Sequence, residues 1–255
     1  MARYVSEIAN VTFNEKAAYV GGDAFSHKGG MHIDAVSKNP ISYEHVDPAL
    51  VGNSRHILVS EVAGRSALLA RLREVDPTLD KDSDETKRIL QHLKMLEHEG
   101  YQFETAESSL YLLLRKLLGK HEPLFELREY RVNICEPAVD GVNSSATIRL
   151  AVDGEETETT ANGDGPVNAL DKALRHALER FFPAIADIKL TDYKVRVLDS
   201  DQASAAKVRV LVETRDALES WTTIGVSVDV IDASWRALSD AIEYKLVRDQ
   251  WRAAA

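Results

Sequence analysis

Asn162-Gly-Asp-Gly-Pro-Val-Asn-Ala-Leu-Asp-Lys-Ala-Leu-Arg-His-Ala-Leu-Glu-Arg-Phe181 decides the fold. A glycine-rich turn runs into a stretch whose Leu170, Leu174, Ala177, Leu178 and Phe181 return at intervals of three and four, one face of a helix. Before it, Tyr130, Val132 and Ile134 alternate with Arg131 and Asn133, and Ala146, Ile148 and Leu150 alternate in the same way. Each reads as a half-buried strand, and a more polar strand is expected over 155–160. After it the order returns: Tyr193, Val195, Val197; then Val208, Val210, Val212; then Ile224, Val226, Val228; then a helix carrying Ile231, Trp235, Leu238 and Ile242. Two βββα units at a spacing of about 60 residues exceed a solenoid repeat and predict a pseudo-symmetric α+β domain over 121–255. The end, Trp251-Arg-Ala-Ala-Ala255, reads as frayed.

Working back along the chain, 80–120 reads as two helices. Asp82-Ser-Asp-Glu85 resembles a capping box, Ile89, Leu90, Leu93 and Leu96 form a face, and Gly100 stops the helix. Thr105 is the expected N-cap of the second, which carries Leu110, Leu113, Leu114, Leu117 and Leu118 and stops at Gly119. The short connection predicts an antiparallel pair. Residues 1–79 are irregular, rich in Gly, His, Asn and Pro.

The chain has 255 residues, 44% of them apolar, and a net charge of -10. That charge, with no Lys/Arg cluster against it, argues against binding to nucleic acid or to an anionic membrane surface. No apolar run is long enough to span a bilayer, and the first residues lack the apolar stretch of a secretory signal. The single cysteine, Cys135, allows neither an internal disulfide nor a cysteine-based zinc site. Within a strand pattern it reads as a buried structural thiol. A cytoplasmic protein is expected.

The densest chemistry lies in Ala24-Phe-Ser-His-Lys-Gly-Gly-Met-His-Ile-Asp34. His27 and His32 are imidazoles able to act as acid, base or ligand; the alternative is a glycine turn with two structural histidines. Their spacing of five, broken by glycines, does not fit the i,i+4 pair of a helical zinc site, so no metal site is expected. His92, His98, His121 and His176 read as solvated or linker residues. No nucleophile elbow, Walker loop or dinucleotide fingerprint is present. The turn at 162–166 has backbone N–H groups that could receive an anion at a helix start; the alternative is an ordinary turn.

Longer motifs carry a resemblance. Ala2-Arg-Tyr-Val-Ser-Glu-Ile-Ala-Asn10, the stretch Ala24–His32, Tyr43-Glu-His-Val-Asp-Pro-Ala-Leu-Val-Gly-Asn53, Ser60-Glu-Val-Ala-Gly-Arg-Ser66 and Gly100-Tyr-Gln-Phe-Glu-Thr-Ala-Glu107 resemble, in order, the region after the barrel in the 2-isopropylmalate synthase/homocitrate synthase family. Asn162–Val167 and Gly225-Val-Ser-Val-Asp-Val-Ile-Asp-Ala-Ser-Trp235 resemble the starts of the two helices of that family's regulatory domain. The wording is most similar to the (R)-citramalate synthase branch.

The resemblance implies a linker subdomain with a histidine loop over 1–79, a helical linker subdomain over 80–120 and a regulatory, dimerising domain over 121–255. The catalytic (β/α)8 barrel, usually about 250 residues, has no counterpart in this chain, which looks like the C-terminal part of such an enzyme. By the resemblance His32 and His27, with Asp34 beside His32 and with Arg55 and Asn53, assist the partner subunit's barrel in condensing acetyl-CoA with a 2-oxo acid. The divalent metal and acetyl-CoA are expected in the full-length enzyme, with no cofactor in this chain. Gly163, Asp164, Gly165, Pro166 and Val167, and Val226, Ser227, Asp229 and Ile231, are the implied contacts of a branched-chain amino acid effector at a homodimer interface. The effector would be isoleucine in the citramalate branch and leucine in the isopropylmalate branch. A free-standing amino-acid-sensing dimerisation module is the alternative.

Overall fold

The computed structural model describes residues 2, 5, 9, 14, 17–27, 30–57, 65–80, 83–139, 141–198 and 205–254. The chain divides into two compact units, Met1–Met95 and Leu96–Ala255. Residues 3, 4, 6–8, 10, 28, 29, 58–64 and 82, which entered the motifs above, lie outside the described residues.

In the first unit, β1 (Ser26–His27) pairs in parallel with β2 (His56–Ile57), with Ser26 opposite His56. Between them run α1 (Gly30–Lys38) and two 3-10 turns, Pro40–Ser42 and Pro48–Val51. α1 packs against α2 (Arg65–Val75), and Ile33, Val36, Leu69 and Leu72 are buried. α3 (Asp84–Glu99) starts at Ser83, whose Oγ accepts the N–H of Thr86 at 3.1 Å. The cap is therefore Ser83 with Thr86 three positions on, and Glu85 is not its partner. Ile89 and Leu93 are buried, and Leu90 and Leu96 are half-buried. Gly100 ends the helix at φ +116°, with Gly100 N–H on the Glu97 carbonyl and Tyr101 N–H on the Leu96 carbonyl, the pair of bonds of a Schellman stop.

The second unit opens with α4 (Glu107–Leu117). Thr105 does not cap it: a 3-10 turn over Phe103–Thr105 takes Thr105, and Ala106 stands at the cap without a side-chain bond. α4 packs on β8 (Ser220–Ser227) and α6 (Val230–Ala254), where the pattern predicts a partner in α3. Contact on two sides explains why Leu112, off the expected face, is fully buried while Leu113 and Leu117 are half-buried.

The βββα repeat holds. β3 (Glu126–Val139), β4 (Val142–Val152) and β5 (Glu155–Gly163) form an antiparallel sheet covered by α5 (Pro166–Glu179). β6 (Lys189–Val197), β7 (Val208–Arg215) and β8 form the second, covered by α6. The helices pack on each other, so one core runs through both repeats, from Ile148, Leu150, Leu170 and Leu174 to Val210, Val212, Trp235 and Leu238. The α+β class is as expected, and no (β/α)8 barrel occurs among the described residues.

Four expectations fail locally. Ile134 is 66% exposed because the β3–β4 ladder slips between Ile134 and Val139, beyond the covered part of the sheet. Cys135, next to it, is exposed rather than a buried thiol. Val195 and Val197 on β6 are also exposed, because α6 covers β7 and β8 and leaves this edge strand open. Finally, the segment read as frayed is helical as far as Ala254, in α6.

The two helix–sheet joints share one device. A Cβ at Gly163 would collide with the backbone N and Cα of Ala169, and a Cβ at Gly225 with the carbonyl of Ala233. Ala169 and Ala233 are each the fourth residue of their helix. Glycine in the third strand and alanine in the first helical turn bring each helix close onto its sheet.

Candidate functional site

The histidine loop does not gather its four predicted residues around one point. His27, on β1, places Nε2 2.9 Å from Glu44 Oε1, and its side chain is 11% exposed. Arg55, just before β2, donates from Nε and Nη2 to the two oxygens of Glu44 at 2.7 and 2.6 Å. Glu44, which the sequence reading missed, joins the two. Arg55's hydrogen bond, the largest effect, outweighs burial and with His27 holds the Glu44 carboxyl below its ordinary value. A glutamate six residues from the nearest helix gives no periodic signal, so only the fold reveals it.

His32 stands apart, exposed on α1, its ring 4.3 Å from that of Tyr43. Asp34 does not orient it: the two are two residues apart on a helix and face different ways, and Asp34 Oδ2 accepts from Lys38 Nζ at 2.6 Å. Asn53 ties the loop, donating from Nδ2 to the carbonyls of Tyr19 and Gly21. So the described cluster has a locked half, His27–Glu44–Arg55, and an open half, His32–Tyr43. Among the described residues no three His, Cys, Asp or Glu side chains converge as metal ligands, so the ligand set for a divalent ion is not found in them.

The two turns of the second unit differ in electrostatics. α5 begins at Gly165 with Pro166 at its first position and no side-chain cap, and Asn168 Oδ1 accepts the N–H of Asp164 at 3.2 Å. Val167 is half-buried against the core. In α6 the cap is Asp229, whose Oδ1 accepts Ile231 N–H at 2.8 Å, while Ser227 Oγ accepts the N–H of Asp229. The carboxylate of Asp229 already occupies the positive end of that helix. Val226 is buried and Ile231 half-buried. Gly163 and Gly225 are explained by the close helix backbone described above.

A third polar group was not legible. His121, read as a linker residue, is 5% exposed in its side chain, with Nε2 2.9 Å from Glu243 Oε1. Lys116 Nζ lies 3.1 Å from Glu243 and 3.8 Å from Asp240. Burial pushes Asp240 up to about 6, while for Glu243 burial is overruled by His121 and Lys116, which lower it.

Residues 104–246, more than half of the chain, match the family described as LeuA allosteric (dimerisation) domain, and residues 19–101 match the one described as homocitrate synthase post-HMGL domain-like. An (R)-citramalate synthase from Aquifex aeolicus is 47% identical over 98% of this chain and 48% of its own length. One from Geobacter sulfurreducens is 46% identical, again over 98% of the chain and 48% of its own length. A 2-isopropylmalate synthase from Listeria innocua is 28% identical over 93% of the chain and 44% of its own. The chain spans about half the length of the curated relatives it matches. It therefore belongs to the LeuA allosteric (dimerisation) domain family, and it corresponds to the C-terminal part of the synthases to which it is similar.

Proposed function

We propose that this chain is the linker and feedback-regulatory region of an acyl-CoA-condensing synthase that joins acetyl-CoA and pyruvate into (R)-citramalate. The supporting observation is the contrast in identity, 46–47% with (R)-citramalate synthases against 28% with a 2-isopropylmalate synthase. In this reading the chain forms a homodimer and binds isoleucine there. Exposed Val195 and Val197 on the uncovered face of β6 give a second copy apolar surface to bury.

Of the two turns, the one opening α5 suits the effector's carboxylate. It has no side-chain cap, and Val167 offers an aliphatic contact. The α6 turn would set Asp229 against that carboxylate, so Ser227 and Asp229 act as cap residues and Val226 and Ile231 as apolar wall. In the first unit His32, exposed and with its ring against that of Tyr43, is the group free to move a proton in the barrel of the whole enzyme, with His27 and Arg55 fixed by Glu44 beside it. The metal and acetyl-CoA belong to the barrel.

The test is a thermal-shift titration with isoleucine, leucine and valine, beside light scattering for mass. A ligand at 100 times its Kd adds about 2.7 kcal/mol. A rise specific to isoleucine, on a dimer, is expected. A rise specific to leucine moves the assignment to the isopropylmalate branch. No rise, or a monomer, refutes the feedback reading.

A further inference from the structure

Gly100-Tyr-Gln-Phe103 follows the last turn of α3, at the start of the second unit. Two arginines of the second repeat hold it. Arg209, on β7, donates from Nε to the Gly100 carbonyl at 2.6 Å and from Nη1 to Gln102 Oε1 at 2.8 Å. A cation on the carbonyl just past a helix also suits the negative end of that helix. Arg236, on α6, donates to the Tyr101 hydroxyl oxygen. The Tyr101 ring stacks on that of Phe103, 5.5 Å between centroids, and Phe103 is buried. Leu198, just past β6, fills the open face of Gly100, with Val226 beside it. Glycine is required here twice, for its φ of +116° and for the room that Leu198 takes.

The same two arginines hold the turn that opens α6. Arg209 stands opposite Val226 in the β7–β8 ladder. Arg236 donates from Nη1 to the Val226 carbonyl at 3.1 Å and from Nη2 to Asp232 Oδ2 at 2.8 Å. Asp232 lies in the first turn of α6. Arg236 therefore ties together a strand end, a helix start and the segment after α3. A guanidinium is a flat fork whose donors point in fixed directions. It cannot follow a shift of Val226 or Asp232 without pulling on Tyr101 or releasing it. Arg209 acts in parallel: the ladder sets its backbone by Val226, and its side chain passes that position to Gly100 and Gln102. The α5 turn is closed differently, by Asn168 Oδ1 on the N–H of Asp164 within the turn itself.

We propose that Arg209, Arg236 and Gly100–Phe103 form a joint that couples the α6 turn to the end of α3, so that loosening either one loosens the other. Such coupling is reciprocal by linkage. Val226 belongs both to this joint and to the apolar wall assigned above to the effector. The joint is then the route by which an effector at that wall reaches the linker. That last step rests on the feedback reading; the joint itself does not.

Hydrogen exchange on the whole chain tests the joint with no ligand present. The reporters at the end of α3 are the N–H groups of Gly100 and Tyr101, bonded to the carbonyls of Glu97 and Leu96. Those at the turn are the N–H groups of Ile231 and Ala233, bonded to the side chain and the carbonyl of Asp229. Asp229→Ala removes the α6 cap and none of the arginine bonds. Tyr101→Phe removes one hydroxyl and keeps the ring on Phe103. Asp229→Ala should speed exchange at Gly100 and Tyr101 about threefold or more, and Tyr101→Phe should do the same at Ile231 and Ala233. The double variant should fall short of the product of the two single factors. Asn168→Ala, the matching loss at the α5 turn, should leave all four rates unchanged. Rates at Gly100 and Tyr101 that ignore Asp229→Ala, or an equal acceleration throughout β4, overturn the joint. Isoleucine that raises the melting temperature and leaves the four rates unchanged removes the joint from the feedback route. No rise with isoleucine removes the feedback reading and leaves the joint standing.

Discussion

Asp240→Asn is expected to stabilise the second unit, and to do so only above the pH at which the aspartate ionises. Burial raises the carboxyl from 3.8 to about 6. At about 1.4 kcal/mol per pH unit, the folded state carries a penalty of up to about 3 kcal/mol once the group is ionised. Asparagine keeps an oxygen for Ser109, and the attraction of Lys116 at 3.8 Å is already contained in the raised value. The net gain is then up to about 3 kcal/mol, reduced by the water that reaches the 24% exposed side chain. A raised carboxyl pKa means that the folded state binds the proton more tightly than the unfolded state. The wild type therefore loses stability from this group as pH rises through roughly 4 to 6, and its loss is complete above. The variant has no such loss, so the two proteins coincide near pH 4 and diverge to a constant gap from about pH 6.5.

Urea unfolding followed by tryptophan fluorescence reads this unit alone, because Trp221, Trp235 and Trp251 all lie in β8 and α6. A variant less stable than wild type at pH 8, or a gap that does not change between pH 4 and pH 7, would refute the reasoning. The first outcome would mean that the Asp240–Lys116 attraction outweighs desolvation. The second would mean that the carboxyl is not perturbed.

Further expectations use the same measurements. Gly225→Ala forces α6 off β8 and should cost about 2–3 kcal/mol by urea midpoint, whereas a neutral result would mean that the helix shifts freely away from Ala233. Asp216 is buried with Lys245 and Arg248. Burial would raise its carboxyl, but the hydrogen bonds from Lys245 and from the Glu219 and Leu218 N–H groups, with the charge of Arg248, hold it well below the usual range. Asp216→Asn should thus cost about 2–3 kcal/mol at pH 7, and the deficit should shrink as pH falls below about 4, since a depressed pKa gives stability that acid removes; a deficit constant down to pH 2.5 contradicts this. Glu44→Gln should free His27 and Arg55 and cost the histidine loop about 1–2 kcal/mol of local stability, read as faster amide exchange around 25–57 with no change around 142–163; unchanged exchange would count against Glu44 as the joint of that loop.

The sequence by itself determined the repeat. Period-two alternation at Ala146–Leu150 and Val208–Val212, and period 3.6 from Leu170 to Phe181, are local properties of strands and helices that a sheet and one covering helix must satisfy, and both βββα units form where the patterns put them. It also determined the helix ends at Gly100 and Gly119, because a positive φ is a demand on one residue. Motif wording determined the family.

Tertiary structure decided everything that depends on which face is covered. Val195 and Val197 read as inward-facing, yet α6 leaves β6 bare; Ile134 and Cys135 sit past a slip in the ladder that alternation cannot register. Leu112 is buried because α4 meets two elements instead of one. Polar partners were equally out of reach. Glu44 meets His27 from 17 residues away, and Ser109 meets Asp240 from 131 away. A hydrogen bond between distant residues leaves no period in the chain, and the desolvation that raises Asp240 is a property of the walls around it, which exist only once α4, β8 and α6 have closed together.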